Sequence, residues 1–237
     1  MNTHWRTKVA AMKAMILLVT VLLVGCGTAS KTAVALDQMP DLIRVACVGD
    51  DITYGEGVRY REENSYPIVL GKLLGTRFQT VNFGVPGATL LRQGDRPYKE
   101  QPEFKQLAAF RPHIVLMMLG TNDTMNQNWP HKDQLASDLN DLLDHIEAFP
   151  SQPEIRLCLP VPFYGDLRAV NGERLDQQVI PVLRSVAAER GHPVIDVNAG
   201  MKRREQQFAD SIHPNDIGSA MMAQIILYDL IAEPGTQ

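Results

Sequence analysis

The chain has 237 residues, of which 45% are hydrophobic and 21% are charged, as in an ordinary globular protein. A chain of this length forms one domain or at most two. The formal net charge is −4, and the sequence has no basic stripe interleaved with aromatic residues. Nucleic-acid binding is therefore disfavoured.

The N-terminal segment has the pattern of an export signal. Basic residues lead into an apolar run from Ala14 to Val24, and small residues follow that run. The run is too short to span a bilayer comfortably. We therefore predict a signal peptide over residues 1–25 and a separate folded domain over residues 41–237.

The end of this segment, Leu23-Val24-Gly25-Cys26, resembles the lipobox of bacterial lipoproteins. The resemblance implies cleavage before Cys26, a diacylglycerol group on its sulfur, and a tether over residues 26–40. We accordingly expect an exported, membrane-anchored lipoprotein on the periplasmic or cell-surface side. Two alternatives stay open, namely a plain signal peptide cleaved near Ala29 and an uncleaved anchor.

Short apolar runs alternate with helix-like segments along the rest of the chain, which is typical of an α/β sheet. The runs read as strands buried on both faces of a parallel sheet. Five strands with helices between them predict a flavodoxin-like, doubly wound parallel sheet with helices on both faces. The predicted strands are Ile43–Val48, Thr80–Phe83, His113–Leu119, Ile155–Val161 and Val194–Val197.

The helix-like segments carry apolar residues at helical spacing and end near glycine or proline. The predicted helices are Tyr66–Leu74, Pro102–Phe110, Lys132–Phe149, Glu173–Arg190 and Asn215–Ile231. The connections that follow the strand ends are long and rich in Gly, Asn, Asp and Pro, whereas the return connections are short. Long loops gathered at one sheet edge indicate a functional site.

Two carboxylates, Asp50 and Asp51, follow the first predicted strand directly. Ligands of open α/β sheets bind beyond the carboxyl ends of the strands, so this is a favourable place for chemistry. A polar turn in which one of the two acids caps the next element explains the same residues equally well.

Polar groups follow other strands as well. Asn122, after the third strand, offers an amide donor of the kind an oxyanion hole needs, and Gly84 offers a backbone N–H after the second strand. Either residue could equally serve an ordinary turn.

Asp210 and His213 lie three residues apart before the last helix. At this spacing the carboxylate can fix the imidazole tautomer and point Nε2 outward as a base.

Taken together, these segments resemble the four conserved blocks of the SGNH (GDSL) hydrolases, in the family's order and with similar spacing. The branch with sialate and carbohydrate O-acetylesterases is the most similar. The matching segments are Gly49-Asp50-Asp51-Ile52-Thr53, Gly84, Gly120-Thr121-Asn122-Asp123 and Asp210-Ser211-Ile212-His213-Pro214.

The resemblance implies ester hydrolysis without a cofactor. His213 would be the catalytic base and Asp210 the residue that orients it. The oxyanion hole would consist of the backbone N–H of residue 51, the N–H of Gly84 and the side chain of Asn122. We place Asp50, Asp123 and Tyr164 on the substrate side. Three aromatic residues could stack on a sugar ring, namely Tyr164, Phe163 and Trp129. The expected partner is an acylated carbohydrate or another small ester.

The sequence departs from the family at the nucleophile, because Asp51 stands where the family has serine. A carboxylate that attacked an ester would form a mixed anhydride, and its charge would oppose the oxyanion. Three interpretations stay open. Asp51 takes part in hydrolysis, either with His213 on a water or by direct attack; the protein binds acylated glycans without turnover; or the chain is a variant of an active serine enzyme.

A metal site is a competing class of function. Six acidic, amide and imidazole side chains could in principle surround a divalent cation. They are Asp50, Asp51, Asn122, Asp123, Asp210 and His213. We expect no metal, because this set contains one imidazole and the family that it resembles needs none.

Overall fold

The computed structural model describes residues 39–164 and 170–231. The predicted signal peptide, Cys26 and nearly all of the predicted tether lie outside the described residues. Five strands form one all-parallel sheet in the order β2-β1-β3-β4-β5, so the predicted doubly wound α/β fold is confirmed. The strands are β1 Ile43–Gly49, β2 Phe78–Gly84, β3 Ile114–Met118, β4 Glu154–Cys158 and β5 Val194–Ile195.

The helices cover both faces of this sheet. The α-helices are α1 Asp51–Tyr54, α2 Arg61–Asn64, α3 Tyr66–Leu74, α4 Pro102–Phe110, α5 Leu135–Glu147, α6 Gly172–Arg174, α7 Ile180–Arg190, α8 Val197–Met201 and α9 Asp216–Ile231. Short 3₁₀ segments lie at Tyr98–Glu100, Asn122–Thr124, Trp129–Gln134 and Glu205–Gln207, and a π segment lies at Leu175–Val179. No helix within residues 39–164 and 170–231 is long and apolar enough to cross a membrane.

The alternation of side chains along β1 divides the core in two. Val45 and Cys47 point into one apolar cluster, which β1 and β3 share with α3 and α9. Ala46 and Val48 point into the other cluster, together with side chains from α4, α5 and α7. Because both faces of the central strands are covered, these strands read in the sequence as continuous apolar runs.

Several element boundaries differ from the sequence predictions for identifiable reasons. β4 ends at Cys158 and does not extend to Val161, because Pro160 has no N–H to offer a ladder. β5 stops at Ile195, since the side chain of Asp196 accepts a hydrogen bond from the Ala199 amide (2.8 Å) and begins α8.

The helix predicted from Glu173 to Arg190 is divided by the π segment before α7. Pro181 occupies the first turn of α7, where a missing N–H is tolerated. In the middle of a continuous helix the same residue would remove a backbone hydrogen bond. The wider π turn therefore accommodates the proline that a continuous helix would not.

The strand order positions the site. The chain passes from β1 to the outer strand β2 and then crosses to β3 on the opposite side of β1. In doubly wound sheets, the crevice between two such strands is where ligands bind. The segments that carry Asp51 and Asn122 leave the adjacent carboxyl ends of β1 and β3.

Candidate active site

Asp51 is the first residue of α1, at the carboxyl end of β1. Asp50 caps this helix, because its Oδ1 accepts the Ile52 amide at 3.0 Å. The turn is tight: a Cβ on Gly49 would lie 2.1 Å from Thr53 Oγ1 and 2.5 Å from the Met118 carbonyl oxygen. Glycine at position 49 therefore lets α1 begin immediately after the strand.

Two donors converge on one carboxylate oxygen of Asp51. Asn122 Nδ2 donates to Asp51 Oδ2 at 2.6 Å, and the Gly87 amide donates to the same oxygen at 2.9 Å. The second N–H of Asn122 goes to the Ala88 carbonyl at 3.2 Å, which fixes the amide orientation. A backbone N–H and an amide side chain aimed at one anionic oxygen form the arrangement of an oxyanion hole.

The structure brings Gly87, rather than the predicted Gly84, to this position. The Gly84 N–H donates to Asn82 Oδ1 at 2.8 Å and not to Asp51. Gly84 is needed for packing, because a Cβ there would lie 2.1 Å from the Tyr54 nitrogen. Its role is to let the end of β2 approach the helix that carries Asp51.

A turn at Pro86-Gly87 presents the Gly87 amide. The Ala88 amide donates to the Val85 carbonyl at 3.0 Å, and Gly87 has φ +76°. Proline followed by glycine with positive φ is the signature of a type II turn. The Pro-Gly pair was therefore a signal in the sequence that could have identified Gly87.

His213 and Asp210 form the predicted pair. Asp210 Oδ2 lies 2.7 Å from His213 Nδ1, and Oδ1 accepts the His213 amide at 2.8 Å. Partial burial raises the pKa of Asp210, but hydrogen bonds from His213 and Ile212 outweigh it and leave this pKa below its usual value. Asp210 therefore stays ionised and can hold the imidazole in the tautomer with Nε2 outward.

The His213 segment packs against the loop that follows α1. A Cβ on Gly57, which has φ +84°, would lie 2.7 Å from His213 Cβ. Two residues further on, the Arg59 amide donates at 2.8 Å to Oδ1 of Asp216, the first residue of α9. These contacts hold the first and last site segments side by side.

Asp51 and His213 have different partners. Within the described ranges, Asp210 is the one carboxylate that forms an ion pair with His213, while the Asp51 side chain is bonded to Gly87 and Asn122. The structure therefore contains two preformed units. One is a pair of N–H donors, from Gly87 and Asn122, that is occupied by the Asp51 carboxylate. The other is the Asp210–His213 pair.

Asp50 and Asp123, predicted on the substrate side, are both fully buried. Burial, followed by the charge of Asp51, raises the pKa of Asp50 to about 8. Burial raises the pKa of Asp123 to about 6, although its carboxylate accepts the amides of Leu90 at 3.0 Å and Leu91 at 2.7 Å. In this structure the two carboxyl groups therefore hold backbone amides of the site loops: Asp50 binds that of Ile52, and Asp123 binds those of Leu90 and Leu91.

Two of the three predicted sugar-stacking residues, Tyr164 and Trp129, have partners within the chain. The Tyr164 hydroxyl donates to the Met201 carbonyl at 2.6 Å, and its ring packs edge-on against Phe208 with centroids 4.9 Å apart. The guanidinium of Arg174 lies 4.8 Å from the centre of the Trp129 ring. One face of Trp129 is thus already covered by a cation.

Two of the side chains considered as metal ligands already have hydrogen-bond partners. Asp51 Oδ2 accepts two N–H donors, and each carboxylate oxygen of Asp123 accepts one, which uses part of the acceptor capacity of both groups. Within the part of the chain that the structure describes, no group of three or more His, Cys, Asp and Glu side chains is arranged to hold a metal ion.

The fold and this pair of units define an ester-hydrolase type of site, and the family comparison agrees. Residues 47–221 match the profile of the GDSL-like Lipase/Acylhydrolase family, so the chain belongs to that family. The acetylxylan esterase of Xylanibacter ruminicola is 34% identical over 204 residues, which cover 78% of this chain and 42% of that protein. This chain thus spans less than half the length of that relative.

Solved structures with a similar fold include a carbohydrate acetylesterase family member from Sinorhizobium meliloti. It has a TM-score of 0.64 and 18% identity, and the match covers 80% of this chain and 99% of that one. The aryl esterase of M. smegmatis has a TM-score of 0.66 and 18% identity, covering 79% of this chain and 98% of that one. At this level of identity the likeness establishes the fold.

Proposed function

We propose that this site acts on acyl esters of carbohydrates, as a carboxylic ester hydrolase of the O-acetylesterase type. The observation that carries the proposal is the convergence of the Gly87 amide and the Asn122 side chain on one oxygen at residue 51. Such donors stabilise the oxyanion that forms when an acyl group is attacked. The similarity to an acetylxylan esterase supports O-acetylated carbohydrate as the substrate class.

Hydrolysis at this site requires the carbonyl oxygen of the substrate to replace Asp51 Oδ2 at the two donors. His213 Nε2 then takes a proton from a water whose oxygen attacks the acyl carbon. The bond between the acyl carbon and the sugar oxygen breaks, and His213 returns the proton to that oxygen. Asp210 stabilises the imidazolium in between, and the products are a free sugar hydroxyl and a carboxylic acid.

A second candidate function is binding of acylated glycans without turnover. Asp51 favours it, because a carboxylate held by hydrogen bonds of 2.6 and 2.9 Å competes with a neutral carbonyl for the same donors. In that case the loops around the hole recognise the glycan. The Asp51 carboxylate then prevents the acyl carbonyl from reaching the Gly87 and Asn122 donors, so no hydrolysis follows.

Acetate release and glycan binding, measured on the same protein, separate the two functions. The substrates are p-nitrophenyl acetate and an O-acetylated xylo-oligosaccharide. Hydrolysis predicts acetate release that is lost in His213→Ala and kept in His145→Ala, an exposed histidine on α5 that serves as the control. Binding without acetate release supports the second function, and the absence of both contradicts each proposal.

We also propose that the protein is exported and anchored by a lipid on Cys26. The support is the basic lead, the apolar run and the lipobox-like segment. Several acyl chains on one cysteine anchor a protein firmly, whereas a single chain binds weakly. An anchored esterase would meet its polysaccharide outside the cytoplasm.

A further inference from the structure

A cavity lies next to the segment that carries His213. It has a volume of about 340 Å³ and is lined by Tyr164 and by residues Arg203, Arg204, Glu205, Gln206 and Gln207. This volume is within the usual range for small-molecule sites. None of the groups that form the hydrolytic site lines it, so it is a separate feature of the surface.

Tyr164 stabilises the wall of this cavity through its hydroxyl group and its ring. Its hydroxyl donates to the Met201 carbonyl at 2.6 Å and accepts the Arg204 amide at 3.0 Å. Its ring packs against Phe208. Both ends of the cavity segment are therefore fixed to one side chain, and Arg203 within it keeps a left-handed φ of +63°. A non-glycine residue held in this conformation is a feature that clusters at ligand sites.

The two arginines of the cavity are exposed, and their guanidinium groups are available to a ligand. Within residues 39–164 and 170–231, neither the Arg203 nor the Arg204 guanidinium has an ion pair or a side-chain hydrogen bond. By contrast, Arg156, Arg184 and Arg190 are each paired with carboxylates. Glu205 is the one acidic residue of the lining, so the cavity carries an excess of positive charge.

The cavity shares its wall with the catalytic loop. The Tyr164 amide donates to the Ser211 carbonyl at 2.9 Å, between Asp210 and His213. The Ala209 amide donates to the His213 carbonyl at 2.7 Å. The cavity therefore lies beside the segment that carries Asp210 and His213.

We propose that Arg203 and Arg204 bind the carboxylate of an acidic sugar, a uronate, within the acylated carbohydrate. The inference rests on the proposed function, and it narrows the substrate class to acidic acylated glycans. A guanidinium presents two parallel N–H donors that match the two oxygens of a carboxylate. Glu205 in the lining disfavours a second anion, so one carboxylate per site is the expected stoichiometry.

The test is a binding titration that does not depend on turnover. The probes are a neutral xylo-oligosaccharide, the same oligosaccharide with one glucuronate, and a sulfated analogue. The natural chain should bind the glucuronate form about tenfold more tightly than the neutral form. Arg203→Gln/Arg204→Gln should abolish this preference, whereas Lys105→Gln, which removes one charge from the exposed surface of α4, should keep it.

The outcomes distinguish this inference from the proposed function. Equal affinity for the neutral and glucuronate forms overturns the inference, as does a preference that survives in the double variant. Equally tight binding of the sulfated analogue overturns the assignment of a carboxylate. Failure of the proposed function has a different signature, which is the absence of acetate release from every form while the uronate preference is still measured.

Discussion

Asn122 Nδ2 donates to Oδ2 of Asp51 across 2.6 Å, between segments that leave adjacent strands. The contact joins a neutral amide donor to a carboxylate of the protein itself. In the proposed function a substrate carbonyl would have to displace this charged acceptor before it could be polarised. We therefore expect the residue at position 51 to control the rate of hydrolysis.

Asp51→Ser should increase ester hydrolysis. Serine is smaller and uncharged, so it frees the Gly87 and Asn122 donors and supplies the hydroxyl nucleophile that the resemblance to the SGNH hydrolases implies at this position. Loss of a single oxyanion donor costs about 2.7–4 kcal/mol, and relief of a competing charge is of similar size. We expect acetate release from p-nitrophenyl acetate to rise by at least about 100-fold over the natural chain.

Two further variants control this experiment. The gain should vanish in Asp51→Ser/His213→Ala, because the hydroxyl then has no base. Asp51→Asn tests the carboxylate itself: loss of an existing activity assigns it a catalytic role, and unchanged inactivity together with measured glycan binding supports the second function. A folded Asp51→Ser protein that is no faster than the natural chain contradicts the prediction.

Asp50→Asn should change the pH dependence of stability. Burial and the charge of Asp51 raise the pKa of Asp50 from 3.8 to about 8 in the folded chain. Between these values the unfolded chain has released a proton that the folded chain retains, so the free energy of unfolding falls as pH rises. Asparagine cannot ionise and still offers an oxygen to the Ile52 amide.

We therefore expect Asp50→Asn to be more stable than the natural chain at pH 8, by at least about 1 kcal/mol. The advantage should disappear below about pH 4, where Asp50 is protonated in both states. Urea unfolding at a series of pH values measures the difference, with Asp133→Asn on an exposed carboxylate as the control. Parallel pH profiles for Asp50→Asn and the natural chain would refute the assignment.

Gly84→Ala should destabilise the fold. The added Cβ would lie 2.1 Å from the Tyr54 nitrogen and 2.6 Å from the Thr53 carbonyl carbon, and backbone atoms cannot move aside cheaply. We expect a loss of about 1–3 kcal/mol in the free energy of unfolding. Gly172→Ala is the matched control, because its Cβ would meet Phe163 at an ordinary 3.6 Å. Equal unfolding midpoints for the two variants would count against the packing role.

Cys26→Ala should prevent lipidation. If the lipobox-like segment is processed as the resemblance implies, the variant accumulates as unlipidated precursor or is released from the membrane fraction. Fractionation together with mass spectrometry of the N-terminal peptide measures both states. Mature, lipid-modified protein in the membranes of cells that express Cys26→Ala would show that the lipobox interpretation is wrong.

The sequence predicted the sheet because strands buried on both faces leave apolar runs, as β1 and β3 do. It located Asn122 and the His213–Asp210 pair because their polar groups follow strand or loop signals directly. It missed Gly87, since the choice between two nearby glycines depends on which amide the turn at Pro86 directs towards residue 51. The burial of Asp50 could not be predicted either, because burial arises from the contacts of several separate elements.

The contact between Gly57 and His213 has a consequence for synthesis and folding. The imidazole comes from the last loop before α9, whereas Asp51 and the Gly57 turn come from the start of the domain. Contacts between segments so distant in sequence form slowly, because they raise the contact order of the fold. If the proposed function holds, the acid–imidazole pair is the last part of the site to be completed, since Gly87 and Asn122 precede His213 in the chain.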